Sequence, residues 1–233
     1  MLRPLFDVVR DLFHFIFPEQ CVGCDRIQKS ADQILCKACR IELPTTKYAS
    51  LNDNPIERIF WGKVELESAS ALLYFKKGGI AQRLMHALKY QGNYQVGVLL
   101  GELFAQTIQE GQICFDAIVP LPLHENKRKQ RGYNQCDAIA EGIAMGLTIP
   151  LLQGVVERIH QNESQTKKGR YDRWLNVQDL FRVTDSASLE GKHLLLVDDV
   201  ITTGATAEAC VQSLLKVEGV KVSFACIGCP PIV

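Results

Sequence analysis

The chain has 233 residues, of which 26 are basic and 26 acidic; 47% of all residues are apolar and 22% charged. These values lie near the globular average and exclude disordered, collagen-like and low-complexity classes, and a chain of this length buries a full core without staples. Zero net charge argues against a uniformly basic nucleic-acid binder, though local patches can cancel in the sum.

The opening stretch MLRPLFDVVRDLFHFIF is apolar, but Asp7, Arg10 and Asp11 break any uncharged run and no small-residue cleavage pattern is seen. A signal peptide or membrane span is therefore not expected. Leu5, Val8, Leu12 and Ile16 recur at helical spacing and predict a helix docked on the protein's own core. Pro18 is followed shortly by CVGC and then, after a spacer, by CKAC, so Cys21, Cys24, Cys36 and Cys39 form two Cys-x-x-Cys knuckles. Two such turns can bring four thiolates to one ion, with turn N–H groups on the sulfurs, and Gly23 suits the tight first turn. Four thiolates with no open position point to structural zinc, in a cytoplasmic protein. A small module over 1–60 and a main domain over 61–233 are expected, with the boundary in the turn-rich LNDNPIERIFWGK. Of the nine cysteines, Cys114, Cys136 and Cys210 are expected as small core residues. Cys226 and Cys229 form a third pair without a second knuckle and are read as core or surface thiols.

From Leu66 onward longer elements alternate. A strand ending ALLYF precedes helices IAQRLMHALKY and VGVLLGELFAQTI, separated by Gly78-Gly79 and Gly92-Asn93 breaks. Then come strand FDAIVPL, helix NQCDAIAEGIAMG, strand HLLLVDD, helix ATAEACVQSLLK and strand VKVSFACIG. This alternation predicts an α/β fold, a mostly parallel sheet with flanking helices that binds its ligand at the C-terminal ends of the strands.

The segment HLLLVDDVITTGATAEA carries the most chemistry. An apolar strand ends in Asp198 and Asp199, and the small, hydroxyl-rich turn Thr202-Thr203-Gly204-Ala205-Thr206 opens the next helix. Small residues let the backbone approach a phosphate, while helix-terminal N–H groups and threonine hydroxyls donate to it. The acidic pair can accept hydrogen bonds from vicinal ribose hydroxyls, so the whole is a cradle for a phosphorylated sugar. It is not a Walker A loop, since no Gly-Lys-Ser/Thr follows. The stretch resembles the phosphoribosyl-diphosphate (PRPP) signature of type I phosphoribosyltransferases. That resemblance implies Asp198 and Asp199 as the catalytic carboxylates on the ribose hydroxyls and Thr202 to Thr206 around the 5′-phosphate. It also implies magnesium bridging ribose and diphosphate, and an oxocarbenium-like transition state.

Two basic segments are expected to follow strands of the same sheet. PLPLHENKRKQRGYNQ carries Lys127, Arg128, Lys129 and Arg131, and RIHQNESQTKKGRYDRWLNV carries Arg158, Lys167, Lys168, Arg170 and Arg173. Arg suits multidentate contacts to diphosphate, and a basic loop can close over an anion. The order of four-cysteine knuckles, ALKYQG, VPLP, Arg128-x-x-Arg131-Gly132-Tyr133-Asn134-Gln135, a Gln165-x-x-Lys168…Arg173-x-x-Asn176-Val177 loop and the PRPP signature is similar to the ComF family of competence proteins. By that resemblance Pro120 to Leu123, with Arg128 and Arg131, form the diphosphate loop, and Gln165 to Asn176 the flexible loop.

Two functions are set against each other. The first is a PRPP-binding, phosphoribosyltransferase-like protein of natural transformation with an unassigned acceptor; the same fold also serves regulators that bind PRPP without turnover. Glutamine-dependent amidotransfer is not expected, because those enzymes need a long glutaminase domain with an N-terminal cysteine. The second is a non-catalytic, single-stranded DNA-binding accessory of DNA-uptake proteins, with Tyr133, Tyr171 and Trp174 as stacking platforms among the basic residues.

Overall fold

The computed structural model describes residues 20–28, 33–159 and 180–231, so the expected N-terminal helix lies outside the described residues. A turn carrying Cys21 and Cys24 leads to α1 (Lys37–Ile41), a 3₁₀ turn (Tyr48–Ser50) and α2 (Pro55–Phe60). The main run is β1 (Ser68–Tyr74), α3 (Ile80–Tyr90), α4 (Tyr94–Glu110), β2 (Ala117–Pro120), α5 (Glu125–Arg131), α6 (Gln135–Leu147), β3 (Val156–Arg158) and β4 (Phe181–Val183). It closes with β5 (His193–Val200), α7 (Ala205–Leu214) and β6 (Lys221–Cys229).

The sheet has the order β1-β6-β5-β2 with every pair parallel, as an alternating βα pattern requires. Its central strand is buried on both sides. Leu194 and Leu196 join one core with Phe60, Phe224 and the inner face of α7, while Leu195 and Val197 join another with Leu84, Leu88, Phe104 and Ile139. Each such fully buried side chain contributes about 1.5–3 kcal/mol through removal of apolar surface from water. In α3 the buried residues Ala81, Leu84, Met85 and Leu88 follow the 3.6 period, and Arg83, His86 and Tyr90 are exposed between them.

The cysteine segment is stitched to this domain. Arg83 of α3 donates to the Gly23 carbonyl (3.1 Å) and pairs with Asp25 (3.2 Å). The chain beyond the second knuckle runs along the edge of β1, where Thr46 N–H reaches Leu72 O and Tyr74 N–H reaches Pro44 O, both at 2.8 Å. Cys21, Cys39, Leu35 and Leu43 share one apolar cluster with α3 and α4. In α2, Asn54 caps the helix by accepting from Ile56 and Glu57 N–H, and its amide donates to Ala69 O at 2.7 Å.

Three expectations are corrected. The basic stretch after β2, read as a loop, contains α5, capped by His124 and closed by left-handed Gly132, with Lys129 and Glu125 paired at i,i+4. Its composition is polar throughout, so no apolar period announced the helix. The second basic segment does not follow a strand of the parallel sheet; it leaves β3, which pairs antiparallel with β4 in a separate ribbon. Cys114, expected in the core, is exposed in the turn before β2, whereas Cys136, Cys210, Cys226 and Cys229 are buried. Among the described residues no helix is long and apolar enough to cross a membrane.

Candidate functional site

Strand pleating explains how the acidic pair is used. Consecutive side chains leave a strand on opposite faces, so the two carboxylates at the end of β5 part company. Asp198, in register with Cys226, takes the face of the α7 core and receives the Cys136 thiol at 3.6 Å and the Asp199 N–H at 2.7 Å. Asp199 takes the other face, where Lys89, in the last turn of α3, reaches it at 2.9 Å with both side chains largely buried. Burial, followed by repulsion from Asp199, pushes the Asp198 carboxyl up to about 7, against the Asp199 N–H, the Cys136 thiol and Lys89, which favour its charge.

The turn that follows could receive an anion. Thr202, Thr203 and Ala205 are exposed and Thr206 is half-buried at the start of α7. The first N–H groups of a helix lack intrahelical acceptors, so they and the hydroxyls point to an anion site. Gly204 is left-handed at φ +78°, and a Cβ there would lie 2.7 Å from Ile59 Cγ2 of α2. Both facts require glycine.

The β2 loop emerges beside the acids because β2 is the parallel neighbour of β5, with Pro120 in register with Val197. Leu121 is buried; its N–H goes to Val197 O (2.8 Å) and its carbonyl accepts from the Asn134 amide (3.0 Å). Leu121 therefore holds the loop. Asn134 also caps α6 through Cys136 N–H and donates to Asp137 at 3.0 Å, which accounts for Asn in the Arg-Gly-Tyr-Asn-Gln run. Pro120, Pro122, Arg128, Asn134 and Asp137 line a cleft of about 800 Å³ together with Gln153, Gly154, Arg158 and Arg182, and with the acids Glu125 and Glu157. Burial raises the Asp137 carboxyl, while Asn134 and Arg128 oppose that rise.

The motif ALKYQG and the motif around Arg131 meet at this edge. Arg131 donates to Gln135 at 2.6 Å and lies over the Tyr90 ring, 5.6 Å from its centroid. The Tyr133 hydroxyl donates to the Leu88 carbonyl, and its ring packs on Tyr94 with centroids 5.4 Å apart. Tyr133 is thus a packing residue. Sequence alone assigns no role to Lys89, which lies within ALKYQG, or to Asp137, which follows the cap residue Asn134. Gln165, Lys167, Lys168, Arg170, Tyr171, Arg173 and Trp174 lie outside the described residues.

Removing the Lys89 charge leaves Asp199 unpaired in a low-dielectric position. Lys89→Met is expected to cost about 1–3 kcal/mol, read as a lower Tm in thermal melts, with Lys89→Arg recovering most of it.

The four knuckle sulfurs all lie within 4.8 Å of one another, a cluster able to hold a metal ion. The sulfurs are also dressed as metal thiolates are: Cys36 N–H donates to Cys21 Sγ at 3.3 Å and Cys39 N–H to Cys36 Sγ at 3.5 Å. Burial opposes ionisation of Cys21, but N–H groups of Cys36, Gly23 and Cys24 outweigh it and bring the thiol down to about 7. A Cβ at residue 23 would sit 2.9 Å from Cys39 Sγ, which leaves room only for glycine.

The chain is similar to several known proteins. A phosphoribosyl transferase domain model matches residues 134–229. The chain is similar to competence protein F of Haemophilus influenzae (29% identity over 144 residues, 59% of this chain and 62% of that one). It is also similar to DNA utilization protein YhgH of Escherichia coli (27% over 149 residues, 62% and 65%). A third relative is competence protein ComFC of Bacillus subtilis (33% over 99 residues, 42% and 38%). Each match spans less than two thirds of the relative's length. Among solved structures, the glutamine PRPP amidotransferase from B. subtilis overlaps 56% of this chain and 26% of its own at 21% identity and a TM-score of 0.41.

Proposed function

The chain belongs to the ComF family and has a type I phosphoribosyltransferase fold, and from that premise we propose that it binds PRPP with magnesium at the edge formed by β2, β5 and α7. The observation that carries this reading is the parting of Asp198 and Asp199 to opposite faces directly before the Thr202–Thr206 turn, with the loop after β2 leaving the sheet next to β5. In this reading Thr202, Thr203 and Thr206 donate to the 5′-phosphate, and the two carboxylates accept from the ribose hydroxyls. Arg128 faces the diphosphate, and the basic segment from Gln165 to Arg173, expected to serve the same anion, lies outside the described residues. Magnesium, when bound with the ligand, supplies charge neutralisation between ribose and diphosphate. Lys89 orients Asp199 through their ion pair, and the Cys136 thiol orients Asp198 by donating to it.

The four-cysteine cluster holds structural zinc in this proposal, with residues 1–60 as its module and 61–233 as the ligand-binding domain, acting in the cytoplasm. The names of the relatives, competence protein and DNA utilization protein, support a role in handling incoming DNA. They also support the second reading, a single-stranded DNA-binding accessory that uses the same edge.

Calorimetric titration tests the first reading. Wild type is expected to bind PRPP in the presence of magnesium and to lose most of that affinity when magnesium is withheld. Equal affinity with and without the metal, or no binding at all, would sink it.

A further inference from the structure

The segment Arg58-Ile59-Phe60-Trp61-Gly62-Lys63 borders the phosphate cradle, yet its outward side chains have no part in the scheme above. Ile59 and Phe60 face inward. Their atoms stand 2.7 and 3.4 Å from where a Cβ at Gly204 would be, and the Phe60 ring packs on Phe224 with centroids 5.3 Å apart. Glu57 also turns inward, accepting from Ala69 N–H at 3.4 Å. What remains outside is cationic and aromatic. Trp61 is 58% exposed, the Arg58 guanidinium lies over its ring at 5.7 Å from the centroid, and Lys63 is exposed past the Gly62 turn, with Glu65 the next exposed acid.

Ligand chemistry gives this patch a meaning. In PRPP the 5′-phosphate is a terminus, so nothing lies beyond the Thr202–Thr206 turn. In a nucleic-acid strand the same phosphate is a diester, and the preceding nucleoside continues past it. Because α2 sits on Gly204, a strand whose sugar and phosphate occupied the cradle would pass its preceding nucleoside onto α2. Stacking on an indole backed by a guanidinium, with Lys63 beside it for the next phosphate, is how single strands are held without sequence preference. The patch is small and carries a net positive charge on its outer surface, which suits a polyanion.

We propose that Arg58 and Trp61 form a stacking site for the nucleoside 5′ to the one seated in the cradle, so that the edge accepts a single-stranded nucleic acid as well as a free phosphoribosyl ligand. The inference rests on the proposed use of the Thr202–Thr206 turn as a phosphate site and extends it by one nucleotide.

The full chain is titrated with a short oligothymidylate carrying a dye at its 3′ end, read by fluorescence anisotropy, and with PRPP and magnesium, read by calorimetry. Trp61→Ala is expected to weaken the oligonucleotide about 10-fold, the size of one lost base–aromatic stack, and to leave PRPP affinity unchanged. Trp61→Phe should keep most of the binding, and Arg58→Gln should reduce it and flatten its salt dependence. Trp61 is largely solvent-exposed, so these variants should melt as wild type does. Equal oligonucleotide affinity in wild type and Trp61→Ala overturns the site. So does an equal loss for PRPP, which would mean that Trp61 merely supports the cradle, and so does absence of oligonucleotide binding in wild type. If wild type fails to bind PRPP while Trp61→Ala still weakens the oligonucleotide, the phosphoribosyl reading falls and the stacking site stands.

Discussion

Replacing Cys39 with Ser is expected to release the bound metal and to lower Tm by on the order of 10 °C. The side chain is buried and belongs to the same apolar cluster as Leu88 and Phe104, so the metal site and the helices that carry Lys89 are one packed unit. A structural zinc contributes about 10–16 kcal/mol of apparent binding free energy in isolated fingers. Here the knuckles are also held by Arg83 and by the pairing along β1, so about 3–5 kcal/mol of coupling is the expected loss, at about 2–4 °C per kcal/mol for a chain of this size. Metal analysis should find one zinc per wild-type chain and far less in Cys39→Ser. A full equivalent of zinc in the variant would count against the four-thiolate assignment. Since the module borders α3, the variant should also weaken the Lys89–Asp199 pair, seen as a loss of PRPP affinity that added zinc restores in wild type after chelation.

The second large effect concerns the acidic pair. Asp198→Asn with Asp199→Asn is expected to reduce PRPP affinity at least 100-fold, because two charge-assisted hydrogen-bond sets at about 1.5–3 kcal/mol each are lost. The ligand-free protein should respond in the opposite sense for Asp198 alone. Its folded-state pKa is raised by burial and by Asp199, so the native state holds a proton that the unfolded chain releases. Its contribution to stability is therefore undiminished below the unfolded value near pH 4 and declines as pH rises toward about 7. Asp198→Asn removes this decline. At neutral pH the variant should melt roughly 2–4 °C higher, the shift made by about 1 kcal/mol, and the difference should vanish near pH 4. A variant that melts lower than wild type at pH 7 would refute the linkage. Loss of binding with a gain of stability is the behaviour of a site that holds charge for its ligand's sake.

Much of this was legible in the chain itself. The strand Leu194 to Val197 announces itself because a parallel strand covered on both faces must be apolar at every position, and the helix over Ile80–Tyr90 because its buried residues repeat with the helical period. That Asp198 and Asp199 lie at a strand end and that Thr202–Thr206 lead into a helix is legible in the sequence, since a strand end, a tight turn and a helix start are local events. The spacing of the four cysteines likewise predicts their convergence into a cluster able to hold a metal ion. Helix α5 was missed, because a short exposed helix made of Lys, Arg, Glu and Gln has no apolar period and depends on its caps, His124 and Gly132.

What sequence determined, then, was the identity of the elements and the side chains that each carries: the acidic pair before a threonine-rich turn, the four-cysteine cluster and the basic stretches. The tertiary structure decided partnership. Strand order β1-β6-β5-β2 is not chain order, so the end of α3, the loop after β2 and the acids of β5 become neighbours only when the sheet assembles. Lys89 then meets Asp199, Arg131 meets Tyr90, and α2 comes to rest on Gly204. A periodic pattern specifies which face of an element is buried; it holds no record of which distant element will cover that face or share its edge. That choice is made by the packing of the two cores around β5, and with it the protein acquires its site.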